Sequence, residues 1–377
     1  MTPVRVLVCE DSAVYAAGLR RTLEYDRDIT VAGVCPTAEQ ALAMLAAQRP
    51  DLVTMDLELP GMDGLAAVEE IMSNRPVPVV VLSSYVGPDG EKAAAALGAG
   101  AVDACAKSDL DLADPAGVTA AAFRARIRAL ARVPVIRHPR ARLRLARHPQ
   151  GPAGRRASVI GIGASTGGPQ VLFHVLSALP PNYPIPLLVV QHMGPGFTEG
   201  LVRWLDRNVG LEVTMAEDRQ PLAAGAWVAP EGAHLCLGGD GRLLLDRASP
   251  SGPHRPSADA LLTSIAAHAG RAGAAVLLTG MGRDGAAGTA ALRRAGGLVI
   301  AQDEASSAVF GMPKAAIEQG AELVLPPAGI ADALARLNHL PLPGAARGLT
   351  TAGRPGPAPG PGPGPAPGPG PHRAGRP

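Results

Sequence analysis

At 377 residues the chain is long enough for two or three domains, and 47% hydrophobic content suffices for ordinary buried cores. Lysine and arginine number 35 against 33 acidic residues, a formal charge of +2. No global field therefore marks a binder of nucleic acid or membrane, and aromatics interleaved for base stacking are missing.

Four cysteines, Cys9, Cys35, Cys105 and Cys236, lie far apart with no CxxC pair and read as reduced residues of a cytosolic protein. The N-terminus enters a strand almost at once without a signal-peptide pattern. No apolar run approaches the roughly 20 residues of a membrane helix. The expectation is a soluble, cytoplasmic chain with no membrane insertion.

Residues 4–9, 52–56, 78–83 and 101–106 read as short buried strands, separated by Ala- and Leu-rich stretches of helical spacing such as Ser12–Tyr25 and Thr37–Gln48. That alternation implies a parallel sheet with helices on both faces. Helical pattern resumes at Val118–Ala131. From Val133 to Arg156 the composition shifts to Arg, Pro, His and Gly, and no acidic residue occurs from Pro115 to Thr198, so a basic linker is expected. Its default reading is a solvated connector; attraction to acidic protein surfaces is the alternative.

The strand ends of this first unit carry a chemical set. Glu10 and Asp11 follow the first strand, Asp56 ends the third element, Ser83 the fourth, and Lys107 follows the fifth. In a doubly wound sheet these ends share one edge. Three carboxylates there call for a hard cation that retains waters, for which Mg²⁺ is suited. With that cation and Lys107 neutralising a phosphoryl group, Asp56 becomes a nucleophile toward a phosphodonor.

These residues resemble a response-regulator receiver domain. The matching pieces are Val8-Cys9-Glu10-Asp11-Ser12, the run from Asp51 through Asp56 to Pro60-Gly61-Met62-Asp63-Gly64, Val80-Val81-Leu82-Ser83-Ser84, and Lys107. The resemblance implies that Asp56 is the phosphoacceptor, that Glu10, Asp11, Asp56 and the Glu58 backbone carbonyl bind Mg²⁺, and that Ser83 and Lys107 sense the phosphoryl group. Two positions depart from the pattern. Ser108 follows the lysine where proline is usual, and Ala104 stands where an aromatic switch residue is usual.

From Ser158 the alternation resumes, with strands expected near 158–162, 186–191, 274–279 and 298–302, and helices near 168–179, 197–208, 257–269, 286–295 and 313–319. A hairpin near 233–246 turns through Gly239-Asp240-Gly241. Ser257 reads as a helix N-cap and Pro313 as a first-turn proline. Closing Pro-Gly repeats cannot build a core and are expected to be disordered. The expected organisation is an α/β protein of two doubly wound parallel-sheet domains: a flavodoxin-like unit at 1–125, a linker at 126–157, a Rossmann-like unit at 158–340 and a tail at 341–377.

In the second unit Gly163-Ala164-Ser165-Thr166-Gly167 fits G-x-S-x-G, a tight strand-to-helix turn that presents a hydroxyl near helix N–H groups. A P-loop reading fails because Pro169-Gln170 stand where Lys and Ser or Thr are required, and a dinucleotide fingerprint fails at Thr166. A serine hydroxyl needs a base, and the base needs an orienting acid. His192, after the run Ile185–Val190, and Asp284, in Thr279-Gly280-Met281-Gly282-Arg283-Asp284-Gly285, leave the sheet at the same edge. Taken singly, His192 reads equally as a structural strand-end histidine and Asp284 as a helix cap.

This half of the chain resembles the catalytic domain of chemotaxis-specific protein-glutamate methylesterases, the CheB family, whose architecture is receiver then esterase. The resemblance rests on Gly161 to Pro169, Val190-Gln191-His192-Met193, Ala229 to Leu235, Arg255-Pro256-Ser257-Ala258-Asp259, Leu278 to Gly285 and Gln302 to Lys314. It implies a catalytic set of Ser165, His192 and Asp284, with the Met281 backbone N–H as an oxyanion donor. It further implies methyl-accepting chemoreceptors as substrates, deamidation of receptor glutamines as a second activity, and a chemotaxis histidine kinase as phosphodonor. The alternatives are a methylesterase-like regulator of a non-chemotaxis array and a non-catalytic phospho-switch.

Overall fold

The computed structural model describes residues 2–84, 90–133, 135, 155–249 and 254–340. Most of the expected linker and the whole expected Pro-Gly tail therefore lie outside the described residues.

The first unit runs β1 (Val4–Cys9), α1 (Ala13–Glu24), β2 (Ile29–Cys35), α2 (Ala38–Gln48), β3 (Leu52–Asp56), α3 (Gly64–Asn74), β4 (Val79–Ser83), α4 (Glu91–Ala99), β5 (Asp103–Ala106) and α5 (Val118–Leu130). Its sheet is parallel, with strand order β2-β1-β3-β4-β5. This is the flavodoxin-like order, with its switch point between β1 and β3. β3 and β4 are buried along their whole length, as sheets covered on both faces require. Side-chain caps start three of the helices: Ser12 accepts from Tyr15 N, Thr37 from Gln40 N and Asp63 from Ala66 N. β2 adds an edge strand to the four that the sequence marks. It is only partly buried, which blunts its apolar signal.

α5 lies where helical pattern was expected at Val118–Ala131. The helix continues past residue 125 to Leu130 and buries Phe123, Ile127 and Leu130 in the core beneath β1 and β4. β6 (Arg156–Ala157) likewise lies inside the span expected as linker, paired with β16 (Asn338–His339).

The second unit continues with β7 (Val159–Ala164), α6 (Gly168–Ser177), β8 (Leu187–Gln191), α7 (Thr198–Asn208), β9 (Val213–Met215), β10 (Ala226–Val228), β11 (His234–Leu237), β12 (Leu243–Asp246), α8 (Ala258–His268), β13 (Gly273–Leu277), α9 (Ala286–Arg294), β14 (Leu298–Gln302), α10 (Met312–Glu318), β15 (Leu323–Leu325) and α11 (Pro327–Ala335). Seven strands form a parallel sheet in the order β15-β14-β13-β7-β8-β10-β9, and β11 with β12 makes the antiparallel hairpin. β7 sits at the centre, where the winding direction reverses, the position at which sheets of this kind bind ligands beyond their strand C-termini.

The two units pack against each other through α4, α6 and α7. The Trp204 ring of α7 lies so close to Gly98 of α4 that a Cβ on that glycine would stand 2.1 Å from Cη2. Glu91 and Arg207 form an ion pair across the junction at 2.6 Å. Phe197, just before α7, is 1% exposed and belongs to the receiver's apolar cluster together with Ala104 and Ala106.

Candidate active site

In the first unit the strand ends deliver the expected cluster. Lys107 Nζ lies 2.7 Å from Asp56 Oδ2 and 2.7 Å from Glu10 Oε2. One oxygen each from Glu10, Asp11 and Asp56 fall within 4.8 Å of one another. Burial pushes the Glu10 carboxyl above its usual range, and Lys107 only partly offsets this. Burial alone would lower Lys107, but Asp56 and Glu10 outweigh it and hold the ammonium above its ordinary value. Glu58 N donates to Asp56 Oδ1 at 3.0 Å, while the Glu58 carboxylate turns outward to Lys92. Ser83 ends β4, directly beside β5. An all-oxygen donor set with two buried carboxylates is consistent with a hard divalent cation.

In the second unit the register of the two central strands places nucleophile and base. β7 and β8 pair Gly163 with Val190 and Ala164 with Gln191, and the ladder closes with His192 N donating to Ala164 O at 2.9 Å. Ser165 and His192 therefore leave neighbouring strand ends side by side. Ser165 N donates to Thr279 O at 3.0 Å, and Gly167 takes φ +74, the left-handed conformation that lets the turn enter α6. Gly280 runs against the serine, since a Cβ there would sit 2.7 Å from Ser165 Cβ. Met281, the next residue, is 43% exposed at the cleft.

Asp284 precedes α9 and lies 2.8 Å from His192, Oδ2 to Nε2. Neither ring nitrogen has a hydrogen-bond partner of good alignment, so the contact is an ion-pair distance rather than a linear bond. With Nε2 beside the carboxylate, Nδ1 is the nitrogen left for another partner. Asp284 also sits at the start of α8, accepting from Ser257 Oγ, Ala258 N and Asp259 N at 2.8, 2.7 and 3.0 Å. Burial would raise this carboxyl, but His192 and these donors hold it well below the usual carboxylate range. The helix-cap reading and the orienting reading of Asp284 thus describe one arrangement: the α8 N-terminus fixes the charge that faces His192.

Sequence reasoning misses three contributors. Ser257 caps α8 as expected, yet its hydroxyl also donates to Asp284. The His254 ring stacks on His192 with centroids 4.5 Å apart and planes 19° apart, and burial and the neighbouring imidazole depress its affinity for a proton. Gln191 joins the backbones of the serine and histidine loops. The available signals were the adjacency of Gln191 to His192 and of His254 to the Arg255–Asp259 block, but neither fixes a partner in space.

Two family models match the two units. The one described as CheB methylesterase matches residues 160–334, and the one described as response regulator receiver domain matches residues 6–112. A protein of Anaeromyxobacter dehalogenans (strain 2CP-C), protein-glutamate methylesterase/protein-glutamine glutaminase 2, is 44% identical over 341 residues, covering 89% of this chain and 98% of its own length. Protein-glutamate methylesterase/protein-glutamine glutaminase 4 of Myxococcus xanthus (strain DK1622) is 41% identical over 345 residues, covering 89% of this chain and 96% of its own. The solved catalytic domain of Thermotoga maritima CheB methylesterase is 41% identical, covers 48% of this chain and 97% of its own, and superposes with a TM-score of 0.46. With a receiver site in the first unit, a serine-histidine-aspartate edge in the second, and relatives matched over nearly their whole length, the chain belongs to the CheB family of protein-glutamate methylesterases.

Proposed function

We propose that this chain removes methyl groups from glutamate γ-methyl esters of methyl-accepting chemoreceptors. In this reading Ser165 Oγ attacks the ester carbonyl carbon while His192 takes its proton. The acyl carbon–methoxy oxygen bond then breaks, and the imidazolium returns the proton so that methanol leaves. Water, deprotonated by His192, attacks the acyl-serine, releasing a glutamate carboxylate and the serine hydroxyl. Asp284 stabilises the imidazolium form, and the Met281 N–H faces the developing oxyanion. A glutamine side chain presents the same carbonyl with ammonia as leaving group, so deamidation is a second activity of the same site.

The observation that carries this reading is the placement of Ser165 and His192 on adjacent strand ends with Asp284 2.8 Å from the imidazole. The test is methanol release from a methylated receptor by the full chain. Ser165→Ala is expected to lower turnover by roughly 10⁴-fold, the scale of triad losses in other serine hydrolases. Unchanged release would assign the chemistry to another residue.

Control belongs to the receiver in this proposal. Asp56 accepts a phosphoryl group from a chemotaxis histidine kinase, and Glu10, Asp11 and Asp56, with the Glu58 carbonyl, would hold Mg²⁺ when it is bound. That cation supplies charge neutralisation at the phosphoryl oxygens. Lys107 leaves its bridge between Glu10 and Asp56 to pair with the incoming group, and Ser83 contacts the group from β4. The unphosphorylated receiver restrains the esterase edge, and phosphorylation loosens the α4 contact with α6 and α7.

A further inference from the structure

Gln191 is 3% exposed and sits between the two loops that carry the nucleophile and the base. Its Nε2 donates to Ser165 O at 2.9 Å and to His192 O at 2.7 Å. These two acceptors fix which way the amide points, because the reverse orientation would set its oxygen against two carbonyls. The backbone ladder of β7 and β8 ends at the bond from His192 N to Ala164 O. Past that point the strands diverge, and the Gln191 amide supplies one more rung. It ties the Ser165 and His192 backbones directly to each other, with neither side chain involved.

The surroundings are shaped around this amide. Oε1 is buried without a hydrogen-bond partner and points at Gly168, where a Cβ would stand 2.2 Å away. Any side chain at residue 168 therefore displaces the glutamine. A buried orphan oxygen is a cost that a purely apolar filler would avoid. Methionine would occupy the same volume without that cost, yet it has no donor for the two carbonyls. The arrangement makes sense for a group that must hold two backbones in register.

We infer that Gln191 is a positioning residue for hydrolysis, setting the separation of Ser165 from His192 through its two-carbonyl bridge. The inference rests on the assignment of Ser165 as nucleophile and His192 as base. Loosening such a bridge lets reacting groups drift by fractions of an ångström, which lowers the rate of the chemical step while leaving substrate binding intact.

The test uses the full chain and a helical peptide bearing one glutamate γ-methyl ester, with a fluorophosphonate as a second probe that reports serine reactivity. Gln191→Met is expected to lower kcat by about 10- to 100-fold with KM unchanged, and to slow fluorophosphonate labelling in parallel, while the thermal midpoint stays within a few degrees. Gln191→Leu, which likewise removes the donor to the two carbonyls, is expected to do the same and serves if the methionine variant does not fold. Wild-type kcat and labelling in a folded variant, or a loss confined to KM, would overturn the positioning role. Ser165→Ala, run alongside, separates the two claims: a variant that still hydrolyses the peptide defeats the nucleophile assignment, whereas an inactive one beside an unimpaired Gln191→Met defeats only this inference.

Discussion

The backbone N–H of Gly167 donates to the carbonyl of Val102 at 3.2 Å. Gly167 lies two residues beyond Ser165, and Val102 lies immediately before β5 of the receiver. The turn that presents the serine is therefore held in part by the domain that carries Asp56. Residues nearby on each side reinforce the link, since a Cβ on Gly100 would approach the Gln170 amide at 3.2 Å. The α4–β5 corner of the receiver and the turn of the nucleophile are thus in direct contact.

Gly98 is the place to break that restraint. Replacing a glycine within a helix by alanine ordinarily stabilises it, by up to roughly 0.5–1 kcal/mol in the middle and less in the last turn, where Gly98 stands. Here the added methyl would meet the Trp204 ring, so the sign reverses. Gly98→Ala is expected to lower the thermal midpoint and to raise methanol release by the unphosphorylated chain. Release by the phosphorylated chain is expected to change little.

Phe197 provides an independent measure of the same contact. It is 1% exposed and packed among receiver residues. Phe197→Ala removes a buried ring and is expected to cost about 3–5 kcal/mol, the usual range for such truncations. Denaturant unfolding should show the loss, and limited proteolysis should show whether the two domains separate first.

Asp56→Asn is expected to abolish incorporation of phosphate from a small phosphodonor such as acetyl phosphate. Chelation of divalent cations should abolish it in the unmodified chain as well, because Lys107 alone would be left to offset three carboxylates facing the donor. Ester hydrolysis by Ser165 should survive chelation. Radiolabel incorporation and methanol release, measured on the same samples, separate the two steps.

The depressed Asp284 carboxyl sets a direction for stability against pH. In the unfolded chain an aspartate titrates near pH 3.9. Its folded-state value lies below that, so within the interval between them the unfolded chain holds the extra proton. The stabilisation is full above about pH 4 and is lost as pH falls through the folded value. The midpoint difference between wild type and Asp284→Asn is thus expected to be constant near neutrality and to narrow on acidification below about pH 4. A gap that widens with acid would contradict the assignment.

Much of the fold is legible in the sequence where strands are buried on both faces. β1, β3, β4, β7, β8, β13 and β14 are largely apolar and mostly buried, and each was expected close to where it lies. β2, β9 and β15 are edge strands, short or partly exposed, and their residues carry too little apolar signal to stand out. β10 escapes for another reason: only Ala226, Trp227 and Val228 form it, beside turns rich in glycine and proline. The site divides in the same way. Ser165, His192, Asp284, Glu10, Asp11, Asp56 and Lys107 were expected because strand ends share an edge, and the structure brings them there. Gln191 and His254 act through contacts between segments remote in sequence, 26 residues apart for Gln191 and Ser165, and no local spacing encodes them.

His192 and Phe197 occupy one short loop, the imidazole at the cleft and the phenyl ring embedded in the neighbouring domain. Such a lever works from both ends. Linkage requires that if phosphorylation of the receiver changes the cleft's affinity for a receptor segment, occupancy of the cleft changes the phosphorylation equilibrium by the same factor. Under that condition a ligand held in the cleft and a phosphoryl group held on the first domain would each bias the other's occupancy, through the same short loop.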